Sequence, residues 1–206
     1  MTRRFTGDTL VVATHNRGKA AELEVLLAPF RVQIRSHADL GLPVPEETGS
    51  TFLDNAELKA RAAAGATGLA ALADDSGLTV DALDGEPGIY TADWGGPQRD
   101  WLMAMRRVTE TLDARGVPQT AAARSAAFNC ALALCWPDGH CELFEAWVEG
   151  QIIHEKRGTR GFGYDPIFRP VGYDITFGEM DPDLKRDISH RAESFRQLMA
   201  ACFDKR

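Results

Sequence analysis

The sequence predicts an α/β protein built on one mixed β-sheet flanked by helices. Two observations carry that prediction. Short apolar runs alternate with stretches of helical periodicity through the first half, and two long apolar runs joined by a Pro-Asp-Gly turn follow in the second. The composition agrees: 206 residues, 44% hydrophobic and 26% charged, describe one substantial globular domain over residues 1–206. No internal repeat, linker or low-complexity tract interrupts it.

Taken in order, Thr9–Ala13 reads as a short strand and Thr14–Lys19 as a polar loop. Leu23, Leu26, Leu27 and Phe30 then recur at i, i+3, i+4 and i+7, the signature of a helix, which Pro29 and Phe30 end. Val32–Arg35 alternates as a strand. A Gly/Pro loop, Gly41–Gly49, leads to a second helix starting near Thr51, where Thr51 and Asp54 suit a cap. Leu69–Ala73 is a further apolar strand, ending at Asp74–Asp75–Ser76–Gly77. Residues 98–114 read as helix, and Ala126–Trp136 and Leu143–Ile153 as a hairpin turning through Pro137–Asp138–Gly139. Gly158–Asp165 is a glycine-rich loop. A last helix spans roughly 190–203, with Ala192, Phe195, Leu198, Met199 and Cys202 on one stripe.

Several function classes are excluded at once. Twenty-three basic against thirty acidic residues give a net charge of −7, a surface that repels a nucleic-acid backbone. No apolar run approaches membrane-spanning length, and no charged-then-apolar leader opens the chain, so a cytoplasmic protein is expected. The four cysteines (130, 135, 141 and 202) lack zinc spacing and read as buried or inert thiols of a reducing compartment.

Two polar clusters follow apolar strands, Thr14–Lys19 and Asp74–Gly77, where ligands of open α/β sheets bind. The first is not a Walker A loop, because Ala13 stands where that motif needs glycine. GFGYDP at 161–166 is not a dinucleotide fingerprint either, since Pro166 replaces the third glycine. In the second helix, Asn55 and Lys59 fall on the apolar arc with Phe52, Ala56, Ala60 and Ala63, whereas Asp54, Glu57 and Arg61 fall opposite. A lysine on that arc must either snorkel to water or meet an anion.

Asp74 and Asp75 are adjacent carboxylates, and Glu46 and Glu47 precede the Lys59 helix. Either Asp75 caps the Ser76–Gly77 turn, or a divalent cation compensates the charge; Mg²⁺ takes one or two carboxylates plus waters and phosphates. His190 and Arg191 open the last helix, where the macrodipole disfavours cations, so Arg191 forfeits stability unless it serves a ligand. Trp136, Phe144 and Trp147 read as core. Phe162 and Tyr164, set in a glycine loop, read as base-stacking groups. The residues alone therefore suggest a metal-assisted enzyme acting on an acidic, phosphorylated small molecule.

Six collinear blocks sharpen this: ATHNRGK at 13–19, EETGSTFLDNAELKA at 46–60, ADDSGLTVDALDGEPGIY at 73–90, GFGYDPIF at 161–168, TFGEM at 176–180 and KRDISHR at 185–191. Together they resemble the inosine triphosphate pyrophosphatase family (dITP/XTP pyrophosphatases), over almost the whole chain. The resemblance implies Mg²⁺-dependent hydrolysis of deaminated purine nucleoside triphosphates to monophosphate and pyrophosphate. It also implies an elongated mixed sheet with two lobes around a nucleotide cleft, and a homodimer. By the same resemblance Thr14, His15, Asn16, Arg17, Gly18 and Lys19 hold phosphates together with Lys59, and Glu47 and Asp75 hold the metal. It further implies that Asp75 accepts the proton of the attacking water, that Ser76 lies beside the substrate, and that Phe162, Gly163, Tyr164, Asp165, Lys185, His190 and Arg191 surround the nucleoside. The chain departs from the family pattern at Thr91–Ala92–Asp93, where Ser-Ala-Arg is usual. Two rivals remain at this stage: a Maf-type pyrophosphatase for other modified nucleotides, and a nucleotide-binding module without turnover.

Overall fold

The computed structural model describes residues 2–203. Its sheet has six strands: β1 (Thr9–Val12), β2 (Gln33–Ser36), β3 (Ala71–Val80), β4 (Ser125–Cys135), β5 (Cys141–Ile152) and β6 (Phe168–Pro170). Five α-helices accompany it: α1 (Arg17–Leu27), α2 (Phe52–Thr67), α3 (Trp101–Ala114), α4 (Pro182–Ile188) and α5 (His190–Cys202). The strand order is β2-β1-β3-β4-β5-β6. β1 runs parallel to both β2 and β3, with Val11 beside Ala71 and Val12 beside Leu72, while β5 and β6 are antiparallel. The mixed α/β sheet expected from the alternation of patterns is what forms.

The chain divides into two compact units, one of Met1–Asp75, Cys130–Ala146 and Arg191–Arg206, the other of Ser76–Asn129 and Trp147–His190. The boundaries fall inside β3, β4 and β5. In the first unit, Leu10, Val12, Leu23, Leu27, Leu72, Leu132, Leu134, Phe195 and Leu198 form one buried apolar cluster. In the second, Leu78, Val80, Val108, Leu112, Phe128, Phe168, Phe177 and Met180 form another. Each combines strand residues with the inward stripe of helices, the arrangement that removes most apolar surface from water.

Local chemistry sets the helix starts. Thr51 and Asp54 form a reciprocal capping box at α2, and Gly68 ends it in the left-handed conformation. Asn16 caps α1 by accepting from the Gly18 and Lys19 amides, and Asp100 caps α3 in the same way.

Four expectations are corrected. The strand expected to stop at Ala73 runs on through Asp74–Gly77 to Val80, so the acidic pair lies inside β3 and caps no turn. The carboxylates tolerate this burial because they are ion-paired. Tyr164 is a core residue: it is almost fully buried, its ring meets the edge of Trp101 and its hydroxyl donates to the Thr91 carbonyl at 2.8 Å. Trp147 is not core, being 60% exposed on β5. Cys135 and Cys141 are joined in a disulfide across the β4–β5 turn, because antiparallel pairing brings the two residues flanking a short turn to a Cα separation of 4.1 Å. Cys130 and Cys202 are free, buried thiols as expected. The short β6 and α4 carry too little periodicity to be read from sequence.

Candidate active site

In the first unit the polar groups gather at the middle of β3. Asp74 and Asp75, adjacent in β3, take different direct ion pairs, while the Lys19 charge acts on both. Asp75 receives Lys59 from α2: Nζ lies 2.7 Å from Asp75 Oδ1 and 3.1 Å from Glu47 Oε1. Asn55, one turn before Lys59 on the same buried face, accepts from the Gly49 amide at 2.8 Å and fixes the loop that carries Glu47. Of the two fates open to a lysine on that arc, it meets anions.

Asp74 faces α1 and α5. Its Oδ1 lies 3.0 Å from Lys19 Nζ, and its Oδ2 accepts from Arg191 Nε at 2.7 Å and from the Cys130 thiol at 3.1 Å. Arg191 also pairs with Glu22 of α1. The loop Thr14–Lys19 is drawn around the α1 N-terminus: the Thr14 hydroxyl accepts from the Asn16 amide, and the Asn16 side chain from those of Gly18 and Lys19. His15 and Arg17 stand exposed beside it, with the His15 ring edge-on to His37. A helix N-terminus with Lys19 in its first turn is suited to anions.

The neighbouring carboxylates are driven apart electrostatically. Burial raises the Asp74 carboxyl, but Arg191 and Lys19 outweigh it and hold the group well below the usual carboxylate range. Asp75 goes the other way, because burial outweighs the pull of Lys59 and Lys19 and raises it above that range. The two adjacent aspartates are thus shifted in opposite directions, Asp74 towards its ionised form and Asp75 towards its neutral one.

Asp75 Oδ2 is buried with no hydrogen-bond partner among the described residues. An orphaned carboxylate oxygen, with Glu47 at the same lysine, fits Mg²⁺, which binds through one or two carboxylates and keeps its remaining positions for water and phosphate. Among the described residues no three or more His, Cys, Asp or Glu side chains make a self-sufficient metal centre. Glu47 and Asp75 are the carboxylates that could hold such a cation.

The second unit holds the glycine loop. Asp165 is buried and folds the loop onto itself: its Oδ2 accepts from the Phe162 amide at 2.7 Å and from Lys185 Nζ at 2.6 Å. Gly161 has φ +73°, and a Cβ there would sit 1.9 Å from Asp165 Oδ2, so only glycine admits this closure. Lys185 Nζ lies 5.0 Å from the centre of the Phe162 ring. His190 is buried and stacked on Phe128, 5.1 Å between ring centres. Ser76, in β3, and Gly163 complete the residues expected here. Asp93, where the family pattern has arginine, is exposed.

Within the first unit the structure thus brings together Lys19, Lys59, Glu47, Asp75 and Arg191, and within the second Phe162, Asp165 and Lys185. Sequence reading missed Glu22, Cys130 and a separate role for Asp74. The available signal was strand alternation, which gives neighbouring aspartates different direct partners once they are known to lie within a strand.

Known proteins resemble this chain in sequence and in fold. A dITP/XTP pyrophosphatase from Ruegeria pomeroyi is 54% identical over 205 residues, covering 98% of this chain and 99% of that protein. One from Rhodospirillum centenum is 57% identical over 201 residues, with 98% of each covered. Among solved structures, a HAM1 protein from Coxiella burnetii superposes with a TM-score of 0.85 at 39% identity, over 93% of this chain and 96% of that one. Residues 10–201 match the profile of the Ham1 family, a span that includes every candidate site residue named above, and with relatives this similar over nearly their full length the chain belongs to that family.

Proposed function

We propose that this chain hydrolyses deaminated purine nucleoside triphosphates (ITP, dITP and XTP) to the monophosphate and pyrophosphate, with Mg²⁺, clearing them from the nucleotide pool. The observation that carries the reading is the pair Asp74–Asp75: one carboxylate ion-paired with Lys19 and Arg191, the other paired with Lys59 and left with an oxygen that has no partner among the described residues. Membership of a family whose relatives bear the name dITP/XTP pyrophosphatase supplies the substrate class, and separates the chain from the Maf-type alternative.

In this reading Lys19, Lys59 and the amides at the start of α1 bind the phosphates and offset charge developing on them. Asp75 orients the attacking water and takes its proton. Glu47 and Asp75 hold Mg²⁺, which when bound supplies further neutralisation of phosphate oxygens. Phe162 offers a face to the base, and Lys185, held by Asp165, a donor to its edge. A donor suits the oxygen at carbon 6 of hypoxanthine and xanthine and mismatches the amine of adenine. Unpaired polar groups at one or two positions correspond to a preference of roughly a hundredfold over ATP.

The same reading makes the protein a cytoplasmic homodimer. No helix among the described residues is long and apolar enough to span a membrane. Leu102, Met103 and Trp147 in the second unit present exposed apolar surface of the kind that subunit contacts cover.

The test is pyrophosphate release from ITP, XTP, GTP and ATP with Mg²⁺ and with EDTA. Release confined to ITP and XTP and dependent on Mg²⁺ is expected. Comparable rates for all four nucleotides, or undiminished turnover in EDTA, would refute it.

A further inference from the structure

Asp74 is the centre of a buried charge cluster that the proposed chemistry does not by itself require. Four elements meet there: α1 supplies Lys19 and Glu22, three residues apart and so on one helix face; β3 supplies Asp74, β4 Cys130 and α5 Arg191. Asp74 is 1% exposed and Arg191 2%. The division of contacts is ordered. Arg191 Nε and Cys130 Sγ both donate to Asp74 Oδ2, Lys19 Nζ lies on Oδ1, and Glu22 takes another edge of the guanidinium. The Ser194 hydroxyl, one turn beyond Arg191, donates to the Cys130 carbonyl at 2.8 Å, tying α5 to the strand that carries the thiol. Two cations and two anions alternate through the cluster, which is how charges are tolerated out of water.

Resting on the triphosphate chemistry proposed for the Thr14–Lys19 loop, we infer that Asp74 is a positioning residue: gripped by Arg191 and Cys130, its carboxylate holds the Lys19 ammonium in register beside that loop. Lysine is a point charge on a flexible four-carbon stem. An untethered ammonium would sample many positions and have to be ordered at each turnover, whereas a tethered one stabilises developing charge without reorganisation. A carboxylate beside an anion-binding loop opposes ground-state anion binding. Its placement therefore makes sense as alignment, and the contacts on Oδ2 keep Oδ1 turned towards Lys19.

Alignment leaves a signature distinct from binding and from fold support. Asp74→Asn lowers kcat for ITP about 10- to 100-fold, the scale of losing a group that holds a site residue in place, without raising KM, because a repelling charge has gone. Since Asp74 acts through Lys19, its effect disappears in a Lys19→Met background. The experiment is a double-mutant cycle over Asp74→Asn and Lys19→Met, read as kcat and KM for ITP and as the Kd of inorganic tripolyphosphate by calorimetry. Circular dichroism confirms folding. Cys130→Ala and Cys130→Ser serve as a second pair if Asp74→Asn does not fold. The alanine variant loses about tenfold in kcat, the lower end of the worth of a hydrogen bond to a charged acceptor, and serine restores it.

Coupled, non-additive effects on kcat or on tripolyphosphate Kd support the inference. So does rescue of kcat by serine. Additive effects, a raised KM with kcat intact, or equal kcat for Cys130→Ala and wild type overturn it. A wild type that releases no pyrophosphate from ITP, yet shows the coupling in tripolyphosphate binding, overturns the proposed function and leaves the positioning role standing.

Discussion

Replacing Lys59 by methionine separates the two jobs of a buried ion pair. The methionine chain refills the space of the lysine stem, so no cavity opens and only the ammonium is lost. Asp75 then remains nine-tenths buried without its closest counter-ion, 2.7 Å away in the native protein. Removing one partner of a buried pair costs about 3–5 kcal/mol. An independent ceiling comes from proton uptake. Keeping neutral in the fold a carboxyl that is ionised in the unfolded chain costs about 1.4 kcal/mol for each pH unit above about 3.9, hence at most about 4 kcal/mol at pH 7 and about 2 kcal/mol at pH 5.5. The two routes agree near 3 kcal/mol at neutral pH, or roughly 6–12 °C in Tm for a chain of this size.

The sign follows from the same reasoning. Burial already raises Asp75 in the native protein, and losing Lys59 removes its strongest lowering influence, so the carboxyl rises further. Between the unfolded value and that raised value the folded variant holds a proton that the unfolded chain has released. Its stability therefore falls as pH rises through that window, and the deficit is larger at pH 7.5 than at pH 5.5. Thermal and urea melts in EDTA at both pH values measure it, alongside ITP turnover, which is expected to be lost. The double variant Lys59→Met/Asp75→Asn, carrying neither charge, recovers most of the stability and none of the activity. A single variant within 2 °C of wild type at both pH values, with additive behaviour in the double variant, would refute the ion-pair reasoning.

Three further outcomes are expected. Asp75→Asn abolishes turnover but leaves tripolyphosphate binding measurable. Its Tm falls, because the buried Lys59 keeps only the partly exposed Glu47 as counter-ion; retention of most ITP turnover at saturating Mg²⁺ would remove Asp75 from the chemistry. Gly161→Ala sets a Cβ against the Asp165 carboxylate, so kcat/KM for ITP falls at least tenfold by titration of initial rates, the scale of misplacing a substrate-positioning loop; unaltered kinetics would mean that loop closure does not serve the substrate. Reducing the Cys135–Cys141 disulfide, which closes a loop of six residues, lowers stability by about 2 kcal/mol on chain-entropy grounds and leaves kcat unchanged; a large loss of turnover in dithiothreitol would give that turn a role in the site.

What the sequence by itself determined was local. The capping pair Thr51 and Asp54, the helical periodicity of α1 and α5, and the hairpin through Pro137–Asp138–Gly139 act on their immediate neighbours and were legible from spacing. So was the placement of Asn55 and Lys59 on the buried face of α2, since a helix of known phase fixes which residues share a side. Six ordered blocks likewise marked the family. Tertiary structure decided the rest, for reasons that spacing cannot express. Asp74–Gly77 reads as a loop because carboxylates in an isolated strand face water; only Lys19, Lys59 and Arg191, arriving from three helices, make them tolerable inside β3. Tyr164 reads as a stacking group because its neighbours are glycines, yet it is core because Trp101 and the Thr91 carbonyl meet it there. Arg191 at a helix start is locally unfavourable, and Asp74 and Glu22, 117 and 169 residues away, are what hold it. Local preferences are short-range and additive along the chain, whereas the charge of a buried group is settled by partners that only the fold brings within a few ångströms.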